Sequence, residues 1–340
     1  MPHPAIPREF LQFLRRSGLA GAMETSVGVA LTGGVSSDIW KIETPDGAIC
    51  VKRALGRLKV ADEWHAPIER NAYEVAWMRI ADRIEPGSAP AVLAEDAAAG
   101  MFAMPFMDPE SCRLWKDELR QGHADPAFAK QCGTVLARIH GATLGDSKIA
   151  AAFPTDKIFH AIRLEPYLEA TARRHPDVAP QLSHLVSVTA ANKLALVHGD
   201  VSPKNILVTP AGPVFLDAEC AWYGDPAFDL SFCLKHFLLK CLWHRQFTER
   251  YLDCFHAFTM AYIDTMDEDG AAGVGAQVGV RTARLLPGLF LARVDGKSPV
   301  EYVTDDGDKA RVRRVAKALL VEPVDHPLEV CRAWHEELRN

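Results

Sequence analysis

The sequence predicts an α+β fold of two lobes, strand-rich up to residue 104 and mainly helical from residue 105 to the end. Three observations predict it. Short alternating apolar runs, broken by Gly-rich turns, gather before Met104 around a single long helical pattern. Helical patterns dominate afterwards, interrupted by one pair of apolar strands between Leu196 and Phe215 that encloses a polar loop. At 340 residues the chain exceeds what one core usually supports. The expected domains are therefore 1–104 and 105–340.

Composition narrows the class. With 48% hydrophobic and 24% charged residues the chain reads as globular, and a formal net charge of −6 disfavours a nucleic-acid partner. Eight cysteines are scattered without a Cys-x-x-Cys pair, which favours reduced thiols over disulfides or structural zinc. The start, Met1-Pro2-His3-Pro4, lacks the basic-then-apolar order of a secretory signal. Lys235, His236, Lys240 and Arg293 interrupt the most apolar stretches well before a membrane span accumulates. The expected location is the cytoplasm, with no membrane partner; oligomeric state is not legible.

In chain order, Leu31 to Ile42 reads as two strands joined by a Gly-rich turn that contains Gly33, Gly34 and Ser36. The strand Ala48–Arg53 alternates, placing Lys52 and Arg53 on opposite faces. A helix is expected over roughly Ile68–Ile84, with Glu69 and Glu74 along it. The strand Met101–Met104 runs into Pro105-Phe106-Met107. Helices follow over Pro126–His140, Leu185–Ala195, Ala227–Trp243 and Phe247–Thr265, His140 reading as a residue favoured by its helix's terminal dipole. Gly296-Lys297-Ser298 is not a P-loop, because the first glycine of that pattern falls on Leu291.

The chemistry concentrates in Leu196-Val197-His198-Gly199-Asp200-Val201-Ser202-Pro203-Lys204-Asn205, followed after a second apolar strand by Leu216-Asp217-Ala218-Glu219. Strand, loop, strand, acid is a layout suited to phosphoryl transfer. That reaction asks little covalent help of a protein and depends on positioning and charge neutralisation. Asp200 is placed to accept or orient an acceptor hydroxyl proton. Magnesium takes oxygen ligands and keeps some water, so one carboxylate and one amide suffice; Asp217 and Asn205 supply them. The Asp-x-x-x-x-Asn spacing matches the catalytic loop of protein kinases, with Gly199 in place of the usual Arg. The downstream loop also tips the Gly33-Gly34 turn from an ordinary hairpin towards a phosphate cradle, since glycine lets main-chain amides approach phosphate.

His-Gly-Asp-x-x-x-x-Asn, then Leu-Asp-x-Glu, then Gly224-Asp225-Pro226-Ala227-Phe228-Asp229-Leu230, resembles the aminoglycoside phosphotransferase and choline kinase superfamily. The resemblance covers most of the chain and implies a bilobal protein-kinase-like fold. It implies an ATP- and Mg2+-dependent enzyme phosphorylating a hydroxyl of a small-molecule acceptor, with a nucleotide-binding pseudokinase as the alternative. Lys52 is then expected to hold the α- and β-phosphates and Glu74 to pair with it, Glu69 being the fallback. Met104, Phe106 and Met107 fall at the hinge that meets adenine, where Pro105 has no N–H to give. His198 is expected to support the loop and Asp229 to tie its amides. Lys204 is either a phosphate neutraliser or a solvated lysine, and Glu219 a second metal ligand, a substrate contact or a supporting acceptor. Arg293, Trp222, Tyr223 and Tyr302 are expected near the acceptor. Only seven residues separate Asp217 from Asp225, too few for the activation segment of a protein kinase.

Overall fold

The computed structural model describes residues 6–20, 27–31, 37–56, 67–269 and 272–340. The first part is a five-stranded antiparallel sheet in the order β1-β2-β3-β5-β4. Its strands are β1 (Gly28–Ala30), β2 (Ser37–Thr44), β3 (Gly47–Ala54), β4 (Ala94–Asp96) and β5 (Met101–Pro105). Alternation along β3 sorts the two faces. Val51 joins Phe10, Phe13 and Leu14 of helix α1 (Arg8–Arg16) and Trp40 of β2 in a small core. Lys52, one residue on, points to the other face, where helix α2 (Arg70–Ile84) crosses. The turn carrying Gly33, Gly34 and Ser36 lies outside the described residues.

After β5 the chain becomes mainly helical. The short strand β6 (Arg113–Leu114) leads into α3 (Trp115–Arg120), α4 (Pro126–Ala142), α5 (Ser147–Ala152) and α6 (Asp156–Phe159). A π-helical stretch, His160–Glu169, follows, where Pro166 supplies no backbone donor for a regular turn. Next come α7 (Ala170–Arg174) and α8 (Ala179–Ala191). The helix expected at Leu185–Ala195 thus begins earlier, with Pro180 in its first turn, and stops at Asn192, whose extended backbone leads into strand β7 (Ala195–Val197).

Strand β7 pairs with β10 (Trp222–Gly224), while β8 (Ile206–Thr209) pairs with β9 (Gly212–Phe215) and β6. Helices α9 (Ala227–Trp243), α10 (Thr248–Asp269), α11 (Val274–Asp295), α12 (Asp306–Val321) and α13 (Pro327–Arg339) complete the chain. Helices α4 and α10 approach closely at Gly133, where a Cβ would sit 2.5 Å from the Phe258 carbonyl oxygen. Leu136, Leu234, Leu238, Phe255, Phe258 and Leu286 belong to this second, larger core. The two parts meet through Phe215, whose amide donates to the Ser88 carbonyl at 2.7 Å just beyond α2.

Two expectations are corrected by packing. Trp222 stacks on Phe159 at 4.1 Å and donates to Asp156, and the Tyr223 hydroxyl donates to the Leu194 carbonyl at 3.0 Å. Pairing of β10 with β7 turns both inward, away from any acceptor. His140 lies in the last turn of α4 as expected, but it is more than a terminal residue: it is a fully buried link, donating from Nε2 to Asp229 at 3.2 Å with the Tyr262 hydroxyl 2.7 Å from Nδ1.

Candidate active site

A cleft of about 1140 Å³ opens between the sheet and the helical part. Lys52 and Glu74 line it from the sheet side, and Met104, Phe106 and Met107 from the connecting segment. Asp200, Lys204, Asn205, Asp217 and Glu219 line the opposite wall. His198 and Asp229 stand behind the loop, fully buried.

The loop between β7 and β8 is held by its backbone. Both Asp229 carboxylate oxygens accept main-chain amides, Oδ2 from His198 at 2.7 Å and Oδ1 from Gly199 at 2.8 Å. Gly199 has φ +79°, and a Cβ there would lie 2.5 Å from the Cys220 carbonyl oxygen, which explains why no side chain stands between His198 and Asp200. The His198 ring has both nitrogens committed: Nε2 donates to the Leu216 carbonyl at 3.0 Å and Nδ1 accepts from the Asp200 amide at 3.1 Å. Burial pushes this imidazole below its ordinary value, so it is neutral. Trp77 of α2 closes edge-on over it at 4.6 Å.

Asp200 faces two cations. Arg163 Nη2 lies 3.0 Å and Lys204 Nζ 3.1 Å from its Oδ2. Burial works to raise the carboxyl, but Lys204 and Arg163 outweigh it and hold it below the usual aspartate range. Arg163 also donates to the Gly199 carbonyl at 2.5 Å. It had no sequence signal, because an irregular π-helical stretch gives no clean period.

Lys52 is shared between carboxylates. Its ammonium is 2.8 Å from both Glu74 oxygens and also bonds Asp217 Oδ1. Burial disfavours the charge, yet Asp217 and Glu74 more than compensate and keep the lysine above its ordinary value. Glu74, deeper in the wall, is pushed up to about 7 by burial. Asp217 goes the other way: burial is outweighed by Lys52 and Lys204, and the carboxyl stays ionised. Among the described residues Asp217 is the one non-glycine residue with positive φ, +65°, a strained conformation that aims its carboxylate into the cleft beside Lys52.

Asn205 donates from Nδ2 to the Asp200 carbonyl at 3.0 Å and lines the same wall of the cleft as Asp217. An amide oxygen and an ionised carboxylate form a hard-oxygen pair that fits magnesium, which takes its remaining ligands from phosphate and water. Among the described residues no cluster of three His, Cys, Asp or Glu offers a rival metal site. Glu219 accepts from Arg70 Nε at 2.9 Å. That arginine was missed, although it lies one helical turn before Glu74 and so shares its face.

At the hinge, the Phe106 amide donates to the Ala48 carbonyl at 3.0 Å. Met107 has no backbone partner for its amide among the described residues. Glu69 is exposed and sits just before α2, away from Lys52.

An antiparallel sheet over a helical part, with a cleft between them and an Asp–Asn–Asp set on one wall, defines a protein of the kinase-like α+β class. The chain belongs to the phosphotransferase enzyme family (APH), whose model matches residues 27–263. Methylthioribose kinase 1 of Oryza sativa subsp. japonica is 23% identical over 224 residues, 57% of this chain and 51% of that protein. The chain thus spans about half the length of the curated relatives it matches. Its fold is similar to that of a choline/ethanolamine kinase family protein from Mesorhizobium loti, with TM-score 0.52 and 17% identity over 96% of this chain and 98% of that one. It is also similar to spectinomycin phosphotransferase in complex with ADP and spectinomycin, with TM-score 0.50 and 12% identity over 98% and 99%.

Proposed function

We propose that this protein is an ATP-dependent kinase that transfers a γ-phosphoryl group to a hydroxyl of a small metabolite or antibiotic. One observation carries the reading: Lys52, the loop residues Asp200 and Asn205, and Asp217, from three separate segments, line a single cleft. Membership in the phosphotransferase family and likeness to small-molecule kinases support it.

Each residue then has a task. Lys52 exchanges its contact with Asp217 for the α- and β-phosphates while Glu74 keeps it in place. Asn205 and Asp217 would hold Mg2+, which would supply charge neutralisation for a bound nucleotide's phosphates. Asp200 orients the acceptor hydroxyl and takes its proton as the new P–O bond forms; its ionised state at neutral pH suits late proton transfer. His198 and Asp229 brace the loop, Arg163 positions Asp200, and Arg70 positions Glu219. The Met107 amide is the donor left for adenine, with Met104 and Phe106 beside it. We place the lobe boundary at 104–105 and the activity in the cytoplasm; no described helix is long and apolar enough to cross a membrane.

The test is ADP release across a panel of hydroxylated acceptors, repeated with Asp200→Asn. Turnover should fall by about three orders of magnitude while Mg2+-nucleotide affinity is kept. Equal turnover in the variant contradicts the assignment, and silence of the wild type across the panel favours a pseudokinase.

A further inference from the structure

At and behind the cleft wall next to Asp200, basic side chains gather around one aromatic ring. Tyr167 lines the cleft on the π-helical stretch, and three cations surround its ring: Lys235 Nζ at 5.2 Å, Arg293 Cζ at 5.9 Å and Arg163 Cζ at 6.0 Å from the centroid. Lys204 adds a fourth, at the same Asp200 oxygen that Arg163 meets. Among the described residues, Asp200 is the one carboxylate within ion-pair distance of any of the four, and it already serves both Arg163 and Lys204.

Two of these cations have donors without acceptors. Lys235, on α9, is fully buried with its amine over the Phe232 ring, 2.7 Å from the centroid, and has no hydrogen-bond partner among the described residues. Arg293 on α11 bonds Ser298 and the Tyr167 hydroxyl from Nη1, and its Nε is likewise buried without a partner. Buried charges are retained when something pairs with them. Lys52 and the metal pair answer a nucleotide's phosphates from β3 and the loop; these cations come from the π-helical stretch, α9 and α11, on the acceptor side.

We propose that the acceptor carries an anionic oxygen group, carboxylate or phosphate, seated beside Tyr167 and held by Arg163, Arg293 and Lys204, with the Lys235 amine behind them. The proposal rests on the kinase reading and narrows its substrate class. An aminated acceptor would meet the like charges of Arg163, Arg293 and Lys204 here. Burial, with Arg293 and Arg163 close by, pushes the Lys235 amine well below the usual lysine range, so a bound anion would favour its protonation.

The test is thermal unfolding of the full chain, first with Mg2+ and AMP-PNP to fill the nucleotide site. Inorganic phosphate or malonate is then added, each against chloride at equal ionic strength. The nucleotide alone should raise the midpoint. Phosphate or malonate should raise it further by about 2 °C or more and saturably, and whichever acts at lower concentration tells a phosphorylated acceptor from a carboxylated one. In Arg293→Gln and Lys235→Met the anion should need at least about fivefold higher concentration, with the nucleotide-induced rise unchanged. If one variant does not fold, the other decides. No rise beyond chloride in the wild type, or a rise kept intact in the variants, overturns the proposal while leaving the kinase reading standing. Absence of the nucleotide-induced rise removes the kinase reading itself and this proposal with it.

Discussion

Asp229→Asn tests how the catalytic loop is held. The wild-type carboxylate gives one oxygen to the His198 amide at 2.7 Å and the other to the Gly199 amide at 2.8 Å, in a place with no solvent exposure. An asparagine keeps one oxygen and turns an NH2 towards the second amide. One charge-assisted bond, about 1.5–3 kcal/mol, is lost, and a buried N–H is left facing another donor. Together the loss is about 3 kcal/mol, or roughly a hundredfold in a local opening equilibrium. Amide hydrogen exchange of the peptide 196–207 measures it: the His198 and Gly199 amides should exchange about a hundredfold faster than in the wild type. Exchange unchanged within about threefold would show that Asp229 does not secure the loop, and that the fully buried carboxylate has another purpose.

Arg163→Gln removes one of the two cations that depress Asp200, so the carboxyl rises towards its ordinary value. In the wild type the carboxylate persists below the usual aspartate pKa of about 3.9. The acid limb of kcat/KM therefore shifts to higher pH in the variant, and a limb that stays in place contradicts the pairing. Lys52→Met leaves Glu74 and Asp217 without their shared cation and should cost about 3–5 kcal/mol in chemical denaturation. Adding Glu74→Gln should then restore more than about 1 kcal/mol, whereas strict additivity of the two changes would mean they do not interact.

Much of this was legible because the informative segments are local. His198-Gly199-Asp200 and Asn205 sit between two apolar strands, so their exposure to a common cleft follows from alternation and loop length. The Lys52 face followed from period two along β3. What escaped had no local signature. Arg163 reaches Asp200 from a π-helical stretch with no regular repeat, and His140 meets Asp229 across 89 residues of sequence. Trp222 and Tyr223 were expected near the acceptor, but pairing of β10 with β7 buries them. Lys235 did leave a trace, a lysine inside an otherwise apolar helix, which served only to exclude a membrane span. The basic side chains around Tyr167 come from distant helices, and no spacing rule gathers them in advance.

The most direct test of the central claim is a crystal structure with Mg2+ and a non-hydrolysable ATP analogue. The account predicts a metal ion about 2.1 Å from the Asn205 amide oxygen and an Asp217 carboxylate oxygen, with Lys52 turned from Asp217 to the phosphates and still held by Glu74. A metal ion bound elsewhere, or Lys52 still joined to Asp217 beside the bound nucleotide, would contradict it.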